Sequence, residues 1–154
     1  MATIGIHHVT LLVDDKERAA WFYGEILGLR EKHRPNFDFP GLFYHCGDNQ
    51  EVHIIVASRP MTREDLFLEF KGAENTRSWV HRHAAFKVLD LAAVTRRLAD
   101  NGVEVLFGPD RIEPDDEQSR TAVEGWRAMY GTVPTFCKDP FDNLIELIPW
   151  DGCI

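Results

Sequence analysis

The chain has no apolar run near the ~18 residues that a membrane-spanning helix needs. The opening MATIGIHHVT lacks the basic start and apolar stretch of a signal peptide. Cysteine is scarce: Cys46, Cys137 and Cys153 are odd in number, widely spaced and without a C-x-x-C pair. That excludes a disulfide framework or zinc ribbon and fits a reducing compartment. Positive charge is in deficit, with 17 Lys and Arg against 25 Asp and Glu and a net charge of −8. Without a basic stripe, nucleic-acid binding is excluded as a leading reading. Low-complexity segments are absent as well. What remains is a chain of 154 residues, 44% hydrophobic, able to bury a core without disulfides and expected to be cytoplasmic. Its seven histidines stand mostly beside apolar runs.

Residues 4–13, IGIHHVTLLV, read as a strand. Asp14, with Glu17 three residues later, resembles a capping box and predicts Asp14 as N-cap. The next segment sets Ala19, Phe22, Tyr23, Ile26 and Leu27 at helical spacing, and Gly28 is a natural terminator. Trp21, Phe22, Ile26 and Leu27 are expected to form a core with Val9, Leu11 and Val13. A short strand over 29–34, a loop over 35–41, and strands over 42–46 and 51–57 follow. Residues 59–79 are polar and read as a linker.

The pattern then restarts. HAAFKVLDL resembles HVTLLVDD, Asp90 caps LAAVTRRLAD, and Asn101-Gly102 ends that helix. Strands are expected over 103–107, 132–138 and 143–149. Residues 108–131 are an insertion with room for a helix over 116–129, either a lid or binding loop or a solvated excursion. The repeat predicts an α+β protein of two βαβββ modules, 1–58 and 80–154.

Strand alternation sorts the side chains by face. Val9, Leu11 and Val13 form one apolar ridge, and Ala84, Phe86 and Val88 form its counterpart. His8 and His83 lie on the opposite faces, at equivalent places in the two halves. In the last strand of each half, His53 and Glu146 likewise face away from the ridges Val52-Ile54-Val56 and Ile145-Leu147. A lone strand histidine is ordinarily a hydrogen-bonded core or rim residue. Two equivalent pairs read jointly as ligands, because imidazoles plus a carboxylate suit a divalent transition metal.

Several segments together resemble the vicinal oxygen chelate superfamily, which includes glyoxalases, extradiol dioxygenases and bleomycin-resistance proteins. They are IHHVTLLVDD with AAWFYGEILGL, GDNQEVHIIV, RHAAFKVLDLAAVTRRLADNGVEV and KDPFDNLIELI. The resemblance implies modules that form a cupped mixed sheet, helices outside, around a metal. It implies His8, His53, His83 and Glu146 as ligands of one divalent ion (Fe, Mn, Ni, Zn or Co). His53 stands where glyoxalases often carry glutamate, a departure from that pattern. His7 is expected to point to the face opposite His8, and His33, His45 and His81 fall outside the matched positions.

The implied function is metal-dependent lyase, isomerase or dioxygenase chemistry on a small molecule with vicinal oxygens. Glu146 would be the catalytic base, and small chains of this kind commonly form homodimers. The alternative is a non-catalytic binder of drugs or metabolites. Thiol transfer to a phosphonate would need several cations, and only Lys87 shares a strand face with a proposed ligand.

Overall fold

The computed structural model describes residues 5–47, 49–62, 83–109 and 117–150, with the side chains of 117–119 left aside. It confirms an α+β chain of two modules, each with a four-stranded mixed sheet. The chain divides into two compact units, Met1–Ser78 with Pro140–Asn143, and Trp79–Asp139 with Leu144–Ile154. Most of the expected linker, residues 63–79, lies outside the described residues.

In the first unit, β1 (His8–Val13) leads into α1 (Lys16–Ala19), and the helix continues in π-helical form over Ala20–Ile26. Then come β2 (Arg30–Lys32), β3 (Gly41–Cys46) and β4 (Gln50–Val56). The sheet order is β1-β4-β3-β2, with β4 returning parallel to β1 and the other pairs antiparallel. Gly41 is required by close approach, since a Cβ there would collide with the Ile54 carbonyl oxygen.

The cap of α1 differs from the sequence expectation by one residue. Asp15, in extended conformation, accepts from the Arg18 amide at 2.9 Å. Asp14 is drawn elsewhere and accepts from the Met61 amide at 2.9 Å. Either aspartate is a good N-cap residue type, and the tertiary contact of Asp14 leaves the cap to Asp15.

The helix buries Ala19, Phe22, Tyr23 and Ile26 together with Val13 of β1. Trp21, Leu27, Val9 and Leu11 are only half-buried, so the expected core is narrower than the spacing implied. The Leu27 amide bonds to the Phe22 carbonyl at 2.9 Å, one residue further back than in an α-helix. Gly28, at φ 75°, closes the turn in the left-handed region, where L side chains are strained. The turn Pro140–Asn143 packs on this unit. Arg18 donates to the Pro140 carbonyl at 3.3 Å, and Asn143 Nδ2 donates to the Leu12 carbonyl at 3.0 Å.

The second unit comprises β5 (His83–Val88), α2 (Leu91–Asp100), β6 (Val105–Phe107), α3 (Glu117–Tyr130), β7 (Thr135–Lys138) and β8 (Leu144–Pro149). Its sheet order, β5-β8-β7-β6 with β5 and β8 parallel, matches the first. Asp90 caps α2 as expected, accepting from the Ala93 amide at 2.8 Å. Leu91 and Leu98 bury the inner side of that helix. The helix expected in the insertion is present as α3. Among the described residues no helix is long and apolar enough to cross a membrane.

Candidate metal-binding residues

The four candidate ligands fall into two pairs, one in each unit, and each pair is in contact. On the first sheet, parallel pairing sets His8 opposite Glu51 and Thr10 opposite His53, while antiparallel pairing sets Phe43 opposite His53. Cross-strand neighbours share a face. Phe43 therefore lies flat on the His53 imidazole, with ring centres 3.7 Å apart and planes at 1°. His8 covers the other face at 4.1 Å and 15°. In the ring plane, His53 Nε2 is 2.8 Å from Glu51 Oε2, and the second Glu51 oxygen pairs with Lys32 of β2. The hydrogen bond from His53, and then that from Lys32, hold the Glu51 carboxyl down at about 2, against a smaller opposing effect of burial. Glu51 is thus a carboxylate at neutral pH and acts only as an acceptor.

Sequence reasoning missed Glu51, Lys32 and Phe43. The signal for Glu51 was available: two-residue alternation in QEVHIIV puts Glu51 and His53 on one face. His7 also departs from expectation. It precedes β1, outside the regular alternation, and its Nδ1 lies 3.0 Å from His8 Nδ1, with the two rings edge to face.

On the second sheet, His83 Nε2 lies 2.9 Å from Glu146 Oε2. Glu146 is only 6% exposed, in a strand where Leu144, Ile145 and Leu147 are also buried. Burial raises its carboxyl above the usual range, while the charge and hydrogen bond of His83 pull it down. Phe136 is the cross-strand partner of Glu146, as Phe43 is of His53. The Trp126 ring of α3 packs on Phe136 at 5.6 Å and on Phe107 at 5.2 Å. The insertion helix therefore packs on the β6–β7 side of the sheet face that carries Glu146. Lys87, the one cation expected on this face, stands over the Trp150 ring at 5.0 Å.

The donor chemistry can be tested against a divalent ion. Two ligands held at right angles, each ~2.1 Å from one ion, lie about 3.0 Å apart. The His83 Nε2 to Glu146 Oε2 separation of 2.9 Å fits that arrangement. The His8 and His53 rings, nearly parallel with centres 4.1 Å apart, do not aim their nitrogens at a common point, so His8 must turn for both rings to bind one ion. Among the described residues no three His, Cys, Asp or Glu side chains already converge on one metal position.

The repeat, the sheet order and the paired residues fix the comparison that matters. The family model described as Glyoxalase/Bleomycin resistance protein/Dioxygenase superfamily matches residues 5–147. The chain belongs to this superfamily. A Bacillus subtilis (strain 168) protein, MhqE, provisionally named as a ring-cleaving dioxygenase, is 45% identical over 51 residues. That stretch is 32% of this chain and only 17% of MhqE. A glyoxalase family protein from Enterococcus faecalis has 26% identity and a TM-score of 0.58, with 94% of this chain and 97% of that one covered. The fosfomycin resistance protein FosX from Listeria monocytogenes, solved with Mn(II), shares the fold at 16% identity and a TM-score of 0.61, over 96% of this chain and 93% of its own.

Proposed function

We propose that this superfamily member is a metal-dependent enzyme of the glyoxalase or dioxygenase type. It acts on a small molecule with two adjacent oxygens, and His8, His53, His83 and Glu146 supply the ligands of one divalent ion. The observation that carries the reading is the His83–Glu146 pair, a buried carboxyl and an imidazole at the separation of two neighbouring ligands. The Mn(II) in FosX and the dioxygenase name of MhqE support it at the level of the superfamily. Bound there, a divalent ion polarises substrate oxygens as a Lewis acid.

The chain's own contributions follow from the side chains. Glu146 is the group placed to take the proton from the substrate carbon next to the oxygens. His83 orients that carboxyl through the bond at Oε2. Phe43 and Phe136 flank the two pairs with apolar surface, and Trp126 of α3 packs behind Phe136. A cytoplasmic homodimer completes the reading, the compartment in keeping with the scarcity of cysteine and the pairing with the habit of small chains of this superfamily.

The test is metal analysis of purified protein followed by calorimetric titration with Mn(II), Zn(II) and Fe(II), the last without oxygen. One ion per chain is expected. Binding should fall strongly in His83→Ala and Glu146→Gln and less in His53→Ala. Unchanged binding in all of these variants overturns the assignment. Absence of binding in the unaltered protein favours the non-catalytic binder.

A further inference from the structure

The His53 ring is constrained on three sides. Phe43 and His8 cover its two faces, and Glu51, two residues back on β4, takes Nε2 in the ring plane at 2.8 Å. His53 and Glu51 are both largely shielded, with side-chain exposures of 15% and 14%. Glu51 is anchored on its other oxygen by the Lys32 ammonium from β2. A carboxylate has no hydrogen to give, so the hydrogen of this bond belongs to Nε2. A neutral imidazole carries only one N–H, so Nδ1 keeps its lone pair.

We infer that Glu51, braced by Lys32, is a positioning residue that fixes His53 in the Nε2–H tautomer and leaves Nδ1 as its donor atom. The inference deepens the proposed function and rests on it for the role of His53 as a ligand. Imidazoles that bind metals ordinarily hand their other N–H to a carboxylate, carbonyl or water, which sets ring orientation and strengthens the donor. The second half of the chain supplies an internal contrast. Two residues before Glu146, where β4 has Glu51, β8 has Leu144. A carboxylate has no tautomer to fix, and the supporting acid is missing from the strand that does not need it.

The experiment is long-range proton–nitrogen NMR of the imidazoles in metal-free full-length protein at pH 9, where histidines are neutral. Spectra are recorded for the unaltered chain and Glu51→Ala, and Zn(II) titrations are followed by calorimetry. The expected result is a single Nε2–H tautomer for His53 in the unaltered chain, a mixture in Glu51→Ala, and an unchanged pattern for His83. Zinc affinity should drop about ten- to a hundredfold in Glu51→Ala. A His53 resonance pattern with the hydrogen on Nδ1 in the unaltered chain overturns the inference, and that measurement needs no variant to fold. An unchanged tautomer in a folded Glu51→Ala protein overturns it too. If the tautomer behaves as stated but Zn(II) moves no His53 nitrogen, Glu51 still sets the tautomer and the assignment of His53 as a ligand is what fails.

Discussion

Replacing Ile26 and Leu27 by alanine, one at a time, distinguishes two ways of winding residues 20–27. Ordinary α-helical spacing places both side chains on the apolar stripe with Phe22 and Tyr23. The wider winding seen here buries Ile26 to 3% exposure and leaves Leu27 half-buried at the helix end. A well-buried Ile or Leu costs ~2–5 kcal/mol on truncation to alanine, because the transfer energy is lost and a cavity stays behind. At ~2–4 °C per kcal/mol for a chain of this size, Ile26→Ala should lower the melting temperature by roughly 4–20 °C. Leu27 gives up part of its contact to solvent already and has no closed cavity to leave. At ~0.8 kcal/mol per buried methylene, Leu27→Ala should cost about 1 kcal/mol or less. Urea unfolding followed by circular dichroism and by tryptophan fluorescence gives both values, provided the two signals change together. Equal losses for the two variants, or a larger loss at Leu27, would show an α-helical turn running through to Gly28 and refute the π-helical reading.

Three further outcomes are expected. Glu51 is held at about 2, below its ordinary value of 4.5, so its contribution to stability is present above pH 4.5 and is lost as pH falls toward 2. The Glu51→Gln protein should therefore lose less stability than the unaltered chain between pH 4.5 and 2, and parallel acid-unfolding curves would contradict the pairing. Glu146 is shifted the other way. Its raised carboxyl favours the folded state below 4.5, and that contribution fades as pH rises through the folded value. In metal-free protein the stability of Glu146→Gln relative to the unaltered chain should increase from pH 4 to pH 7, and a constant difference in urea midpoints would refute the assignment. Asp15→Ala should cost about 1 kcal/mol and speed hydrogen exchange at the Arg18 amide, whereas Asp14→Ala should leave that amide unchanged.

The strands, the repeat and the faces of His8, His53, His83 and Glu146 were legible because strand alternation has a period of two and errors of register would flip whole rows. What escaped it depends on contacts between strands or on neighbours far along the chain. Asp14 and Asp15 are equally good caps until Met61 claims one of them. Leu27 and Ile26 are equally apolar until the helix widens by one residue at Phe22. Lys32 is an ordinary charge in a short edge strand, and only the β2-β3-β4 register brings it to Glu51. Phe43 and Phe136 look like generic core aromatics until the register makes each the partner of a candidate ligand.

The two halves reach equivalent positions with different chemistry, and the surroundings differ accordingly. An imidazole at position 53 has two nitrogens and a rotatable ring, so it needs its hydrogen placed and its plane held. Phe43 and Glu51 do both, with the second oxygen of the acid held by Lys32. A carboxyl at position 146 has no hydrogen to place, and what matters is how readily it takes a proton. Its surroundings raise that affinity through burial in β8, and the imidazole of His83 pulls against it. Exchanging the two side chains would set each in the wrong setting. A glutamate at 53 would face the Glu51 carboxylate on the same strand and repel it. A histidine at 146 would be buried beside His83 with no acid to order its ring. The double exchange His53→Glu with Glu146→His should therefore bind zinc far more weakly than the unaltered chain, although the ligand types are conserved. Equal affinity would mean that the donor atoms alone decide binding and that Glu51 and the buried setting of Glu146 have no part in it.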